Sequence, residues 1–237
     1  MLLRSLTLLF FLPTPATAAE RPVPVDLELA FSVDASGSID AEGTELQRRG
    51  YADALRHPRI LNAITSGYLG RIAVAFIEFA ADGCTRLNIE WTEINRKETA
   101  ETFGNKIIAL PYSLCHGGNA VADAILYSAK SIEQNRFEGM RRVIDISGDG
   151  PNTLGRSLSE YRSEVLAAEI TINALVLERP EMPDLPEYFR HFVISGQGAF
   201  QIEARDHDSF TAAILKKIFS EIAADPMPSA QHAQRRR

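Results

Sequence analysis

From Val25 to Val33 the chain first alternates and then turns continuously apolar, which predicts a strand whose far end is buried on both faces. Ser38 and Asp40 are both able to cap a helix over about 41 to 64, where Leu46, Tyr51, Ala54, Leu55 and Leu61 recur at helical spacing and Pro58 kinks or shortens the run. Ile72 to Phe79 is a second apolar strand, and Leu87 to Ile94, with the sole Trp91, a shorter third. Helical periodicity returns over 96 to 109 and again over about 120 to 134, after the polar turn Cys115-His-Gly-Gly-Asn119. Arg141 to Ser147 reads as a strand that Gly148-Asp149-Gly150-Pro151 must end. A helix over 157 to 168, a strand over 171 to 177, a short helix over 183 to 191, an edge strand over 198 to 204 and a closing helix over 208 to 223 complete the pattern. Strands alternating with helices predict one α/β domain with a doubly wound, mostly parallel central sheet and helices on both faces.

The ends read differently. Met1 to Leu12 carries one positive charge and then an apolar run too short to span a bilayer; Pro13 and Pro15 break it, and Ala16-Thr17-Ala18 offers a small-x-small cleavage pattern. Residues 1–18 are therefore expected to be a signal peptide, 19–24 a Pro-containing lead, 25–224 the folded domain and 225–237 a disordered basic tail ending in Arg235-Arg236-Arg237. No later stretch reaches ~20 apolar residues, so no membrane span is expected and the mature protein should be exported, periplasmic or extracellular.

Export changes the meaning of the only two cysteines, because an oxidising compartment lets Cys84 and Cys115 pair; two separate buried thiols are the alternative. With 45% hydrophobic and 24% charged residues the composition is that of an ordinary globular protein. A formal charge of -6, more negative still once Arg4 is removed, disfavours nucleic acid as a partner.

The candidate chemistry sits where strands end. Asp34-Ala-Ser36-Gly-Ser38 follows the first buried strand, and the carboxyl end of a strand in an open α/β sheet opens into the binding crevice. One carboxylate and two hydroxyls at alternate positions, with Gly37 allowing a tight turn, suit a small hard cation better than zinc. Asn119, after Gly117-Gly118, and Asp149, after the strand ending at Ser147, lie on two further loops that reach the same edge. Read alone, Asp-x-Ser-x-Ser also fits a helix cap; joined to a buried strand and two partner loops in order, it points to a site.

Asp34-x-Ser36-x-Ser38, the Gly117-Gly118-Asn119 helix start and the Asp149-Gly150 loop resemble the metal-ion-dependent adhesion site of von Willebrand factor A (VWA) domains. Arg141-Arg-Val-Ile-Asp-Ile-Ser-Gly-Asp-Gly-Pro-Asn152 is further similar to a group of bacterial exported VWA-like proteins whose function is not established. The resemblance implies a VWA fold over about 25 to 223 and one bound ion, Mg²⁺ or else Mn²⁺ or Ca²⁺. Ser36 and Ser38 would bind it directly, and Asp34 and Asp149 directly or through water. Asn119 stands where most VWA domains place a threonine; its amide oxygen is a competent ligand of different reach. The implied function is an adhesion or binding module, not an enzyme, whose ion receives the Asp or Glu carboxylate of a protein partner.

Two other readings use the same atoms. A metal-free structural or assembly subunit of an envelope complex needs only the fold. A hydrolase would use Ser36 or Ser38 as nucleophile, His116 as base and Asp149 as orienter. The chain has no Gly-x-Ser-x-Gly elbow, Walker loop or dinucleotide fingerprint, and Ser36 stands where a haloacid-dehalogenase-like phosphatase would need a second Asp. His116 otherwise reads as a turn-stabilising or solvated side chain, and Asp145, inside a strand beside Arg141 and Arg142, as a structural ion pair or sheet-face residue.

Overall fold

The computed structural model describes residues 21–81, 83–112, 117–205 and 207–224. The expected signal peptide, residues 19 and 20 of the lead and the basic tail lie outside these residues.

Among the described residues six strands form one sheet, in the order β3-β2-β1-β4-β5-β6. Strand β1 (Val23–Asp34) pairs in parallel with β2 (Ile72–Phe79) on one side and with β4 (Phe137–Gly148) on the other; β5 (Ile170–Leu177) and β6 (Gln201–Ala204) continue in parallel. Strand β3 (Arg86–Ile94) alone is antiparallel, and it forms the edge beyond β2. The apolar runs follow from this layout. A strand covered on both faces has no solvent side to supply with polar residues, and every residue of β2 is buried.

Two cores flank the sheet. On one face α1 (Ala41–Arg56), α2 (Pro58–Thr65), α3 (Lys97–Ile108) and α7 (His207–Ala223) bring Tyr51, Ile60, Phe103 and Ile214 against Leu29, Phe31 and Phe76. On the other, α4 (Val121–Gln134), α5 (Leu158–Ala167), the short α6 (Leu185–Tyr188) and a π turn, Phe189–Val193, pack Ile125, Tyr161 and Phe189 against Ala30, Ile144 and Ile172.

The expected helix over 41 to 64 is two helices. His57 before Pro58 takes an extended conformation, φ -64° and ψ 134°, because the proline ring disfavours helix in the residue ahead of it. Its ring Nδ1 then caps α2 by accepting from Arg59 N at 3.2 Å. Strand β4 begins four residues before Arg141, since Val23 to Val25 at the start of β1 give Phe137 to Gly139 a partner.

Asp145 makes an ion pair, but neither adjacent arginine supplies it. Lys217 on α7 places its Nζ 2.6 Å from Asp145 and 2.6 Å from Glu221, with all three side chains almost wholly buried. Arg141 instead donates to the carbonyl of Glu221 at 2.7 Å near the end of α7.

The chain runs outward from β1 to β3 and then returns to β4 beside β1, so strand order reverses between β1 and β4. In an open α/β sheet such a reversal parts the loops that follow the two strands and leaves a crevice at their carboxyl ends. Asp34 ends β1 and Asp149 follows β4.

Candidate functional site

Asp40, not Ser38, caps α1: its Oδ1 accepts from Gly43 N at 2.8 Å. Ser38 is thereby available to the crevice, where its Oγ donates to Asp149 Oδ1 at 2.8 Å and lies 3.0 Å from Ser36 Oγ. Asp34 Oδ1 accepts from Ser36 N at 2.8 Å and Oδ2 from Asp149 N at 3.4 Å, so the first carboxylate holds both the loop after β1 and the loop after β4. Gln47 on α1 donates to the Asp34 carbonyl at 3.1 Å, and Ala35 N continues the ladder to Phe79 O at 2.7 Å.

The third loop is stitched to the other two. Gly37 N donates to Gly117 O at 3.3 Å, and Ala120 N to Ala80 O at 3.0 Å. Gly117 has φ 119°, and a Cβ there would meet the Ala81 side chain at 2.7 Å, so the turn requires glycine. Thr153 and Leu154, past Asp149, donate their backbone N–H groups to Asn119 O at 2.8 and 3.2 Å, while Asn119 N donates to Thr153 Oγ1 at 2.9 Å. Asn152 Oδ1 accepts from Ala122 N at 3.0 Å and caps α4, whose own N-cap, Ala120, has no side-chain acceptor. Asn119 also packs on Gly150, where a Cβ would collide with its Nδ2.

Asp34, Ser36, Ser38 and Asp149 thus form one hydrogen-bonded group, and Asn119 lies on the loop clasped to it. Burial first, and the Asp149 charge second, push the Asp34 carboxyl up to about 7, against the pull of the Ser36 hydrogen bonds. Asn119 Oδ1 is buried and has no hydrogen-bond partner among the described residues.

These features fit a divalent ion. An octahedral Mg²⁺ with oxygens at about 2.0–2.1 Å sets neighbouring ligand oxygens about 2.9–3.0 Å apart. The Ser36–Ser38 and Ser38–Asp149 separations, 3.0 and 2.8 Å, are of that size. A cation would also offset the charge that raises Asp34 and give the Asn119 oxygen a partner. The donors are all hard oxygens, and no cluster of three or more His, Cys, Asp or Glu suited to a metal occurs among the described residues.

Cys115 and His116 lie outside the described residues, so the expected Cys84–Cys115 pairing and the Ser36, His116 and Asp149 triad do too. Sequence reasoning missed the loop-clasping Asn152 and Thr153 and, more consequentially, Arg179. Arg179 follows the end of β5 by two residues and sets Nη1 3.6 Å from Asp149 Oδ2 and Nε 3.7 Å from Glu181. Its place just beyond the carboxyl end of a strand next to β4 is the signal that could have found it. No helix among the described residues is long and apolar enough to cross a membrane.

Solved structures share this fold at low identity. Proximal thread matrix protein 1 from the mussel byssus, solved with a zinc-occupied MIDAS motif, aligns with TM-score 0.59 and 17% identity over 84% of this chain and 46% of its own. The pilus adhesin SpaC from Lactobacillus rhamnosus GG aligns with TM-score 0.60 and 12% identity over 86% of this chain and 31% of its own. A von Willebrand factor type A protein from Catenulispora acidiphila gives 0.59 and 11% over 84% and 43%. The chain spans less than half the length of each of these. No curated protein matches it in sequence. The fold is that of a VWA domain, and, since the model of the protein of unknown function (DUF1194) matches residues 24–226, the chain belongs to that family.

Proposed function

We propose that this protein is an exported VWA-type binding module that holds one divalent ion, Mg²⁺ in preference to Mn²⁺ or Ca²⁺, on Asp34, Ser36, Ser38, Asn119 and Asp149. The ion binds an Asp or Glu carboxylate of a protein partner. On this reading residues 1–18 are the cleaved signal, 19–24 the lead, 25–224 the binding domain and 225–237 a basic tail.

The observation that carries the reading is the spacing of the Ser36, Ser38 and Asp149 oxygens, which matches adjacent positions around one small cation. Hydroxyls and an amide replace carboxylates around the ion, and with Asp34 or Asp149 holding it through water the direct ligands leave residual positive charge that draws an anionic group into an open coordination position. A pilus adhesin and a byssal thread matrix protein with a zinc-occupied MIDAS motif share the fold and support the same class of function.

Calorimetry and thermal melts with Mg²⁺, Mn²⁺ and Ca²⁺ test the ion, and capture of partners from the exported fraction with and without EDTA tests its use. Mg²⁺ should raise the melting temperature by mass action and Asp34→Ala should remove that increment. If none of the three ions binds, the metal reading fails and a metal-free assembly subunit takes its place.

A further inference from the structure

Arg179 brings a positive charge to the edge of the site. Its guanidinium lies 3.6 Å from Asp149 and 3.7 Å from Glu181, both ion pairs and neither a hydrogen bond, and the side chain is about one-third exposed at 34%. Among the described residues none of its five side-chain N–H groups has a hydrogen-bond partner. Asp149 presents its two oxygens to different neighbours: Oδ1 accepts from Ser38, and Oδ2 is the one nearest Arg179. A fixed cation therefore borders the crevice on its β5 side, with its donors unspent.

A cation next to a metal-binding carboxylate weakens the metal, since both compete for Asp149 and repel each other. The arrangement becomes favourable once an anion lies between them. Arginine's planar fork matches the two coplanar oxygens of a carboxylate, and a carboxylate that gives one oxygen to a divalent ion has a second to spare.

We propose that Arg179 is the second arm of the ligand site: it pairs with the free oxygen of the carboxylate whose other oxygen completes the metal's coordination. The site thereby selects a planar two-oxygen anion over a single-atom anion or a neutral oxygen donor. The proposal rests on the metal reading above and adds to it a specificity-determining residue.

The test titrates Mg²⁺ by calorimetry into the full chain, as wild type, Arg179→Gln and Arg179→Lys, in sodium chloride and in sodium acetate at equal ionic strength, with acetate as the carboxylate probe. In chloride, Arg179→Gln should bind Mg²⁺ about threefold or more tightly than wild type, because a repelling unit charge is gone. In acetate, wild type should gain Mg²⁺ affinity over chloride, and Arg179→Gln should lose most of that gain. Arg179→Lys, which keeps the charge without the fork, should bind Mg²⁺ like wild type in chloride and still lose part of the acetate gain. Melting temperatures in EDTA identify any variant that misfolds. Wild-type Mg²⁺ binding with an acetate gain that both variants retain overturns the role of Arg179 and leaves the metal site standing. Absence of Mg²⁺ binding in all three proteins overturns both.

Discussion

Ser38 Oγ donates to Asp149 Oδ1 at 2.8 Å, a hydrogen bond between residues separated by 111 positions that joins the loop after β1 to the loop after β4. It forms because Asp40 takes the cap of α1 and leaves Ser38 to the crevice. The bond spans the point where strand order reverses, so it reports directly on whether the two loops meet at a site.

Ser38→Ala should therefore separate stability from ion binding. Loss of one partly exposed hydrogen bond to a carboxylate costs the metal-free protein about 1–2 kcal/mol, read from urea unfolding in EDTA. Loss of an ion ligand should weaken Mg²⁺ about tenfold or more by calorimetry. Unchanged Mg²⁺ affinity would remove Ser38 from the ligand set.

The buried group of Asp145, Lys217 and Glu221 holds α7 against the sheet and makes its own prediction. Burial first, and the Asp145 charge second, raise the Glu221 carboxyl to about 8 from its ordinary 4.5, against the opposing pull of Lys217. A folded protein that keeps a proton its unfolded chain has released loses stability as pH rises. The Glu221 contribution is thus complete below about pH 4.5 and disappears as pH climbs through about 8. Urea unfolding from pH 5 to 8 should show a flatter decline for Glu221→Gln than for wild type, a comparison that cancels the similar trend from Asp34. Equal slopes would place the titration elsewhere. Lys217→Met leaves two carboxyls buried without their cation and should cost about 3–5 kcal/mol.

Exported protein should begin near Ala19 by terminal sequencing, and mass analysis without reductant should find Cys84 joined to Cys115. In the chain-entropy account a bond closing a loop of this length stabilises by about 3–4 kcal/mol, so the reduced protein should melt lower. An intact Met1 in a cytoplasmic fraction would reject the first expectation, and two free thiols in exported protein the second.

Much of the fold was legible because the interior strands contain bounded apolar stretches and the longer helices carry apolar positions at helical spacing. Ile72 to Phe79 is the plainest case. The break at His57 was half legible: Pro58 marked it, but only the extended backbone of His57 divides one helix into two. Asp34, Ser36 and Ser38 were legible as a cluster only in company: alone they fit a helix cap as well, and it was the buried strand before them and the ordered loops of Asn119 and Asp149 that pointed to one crevice, where Asp34, Ser36, Ser38 and Asp149 hydrogen-bond to one another. Arg179 and Lys217 were not, for a physical reason. A single charged residue carries no periodicity, and what makes each of these two matter is a carboxylate brought to it from another strand, Asp149 in one case and Asp145 in the other.

Asn119 is the position at which the site departs from its relatives in pattern, and it yields the sharpest substitution. Its backbone is fixed at both ends, N–H to Thr153 Oγ1 and C=O to the Thr153 and Leu154 amides, so a new side chain starts from the same place. Its amide Nδ2 abuts Gly150 and its Oδ1 is buried with no hydrogen-bond partner among the described residues, a costly state for a polar atom that a cation would relieve. Asn119→Thr has a shorter side chain, fits against Gly150 without that contact and supplies the hydroxyl that the VWA resemblance implies at this place. It should keep or strengthen Mg²⁺ binding, whereas Asn119→Ala, which removes the amide oxygen without adding bulk beside Gly150, should weaken it about tenfold or more by calorimetry. Asn119→Ala also removes the unpartnered oxygen, so in EDTA it should melt close to wild type. If the alanine and threonine variants bind Mg²⁺ as wild type does, Asn119 is no ligand, and its buried oxygen serves only the packing of three loops.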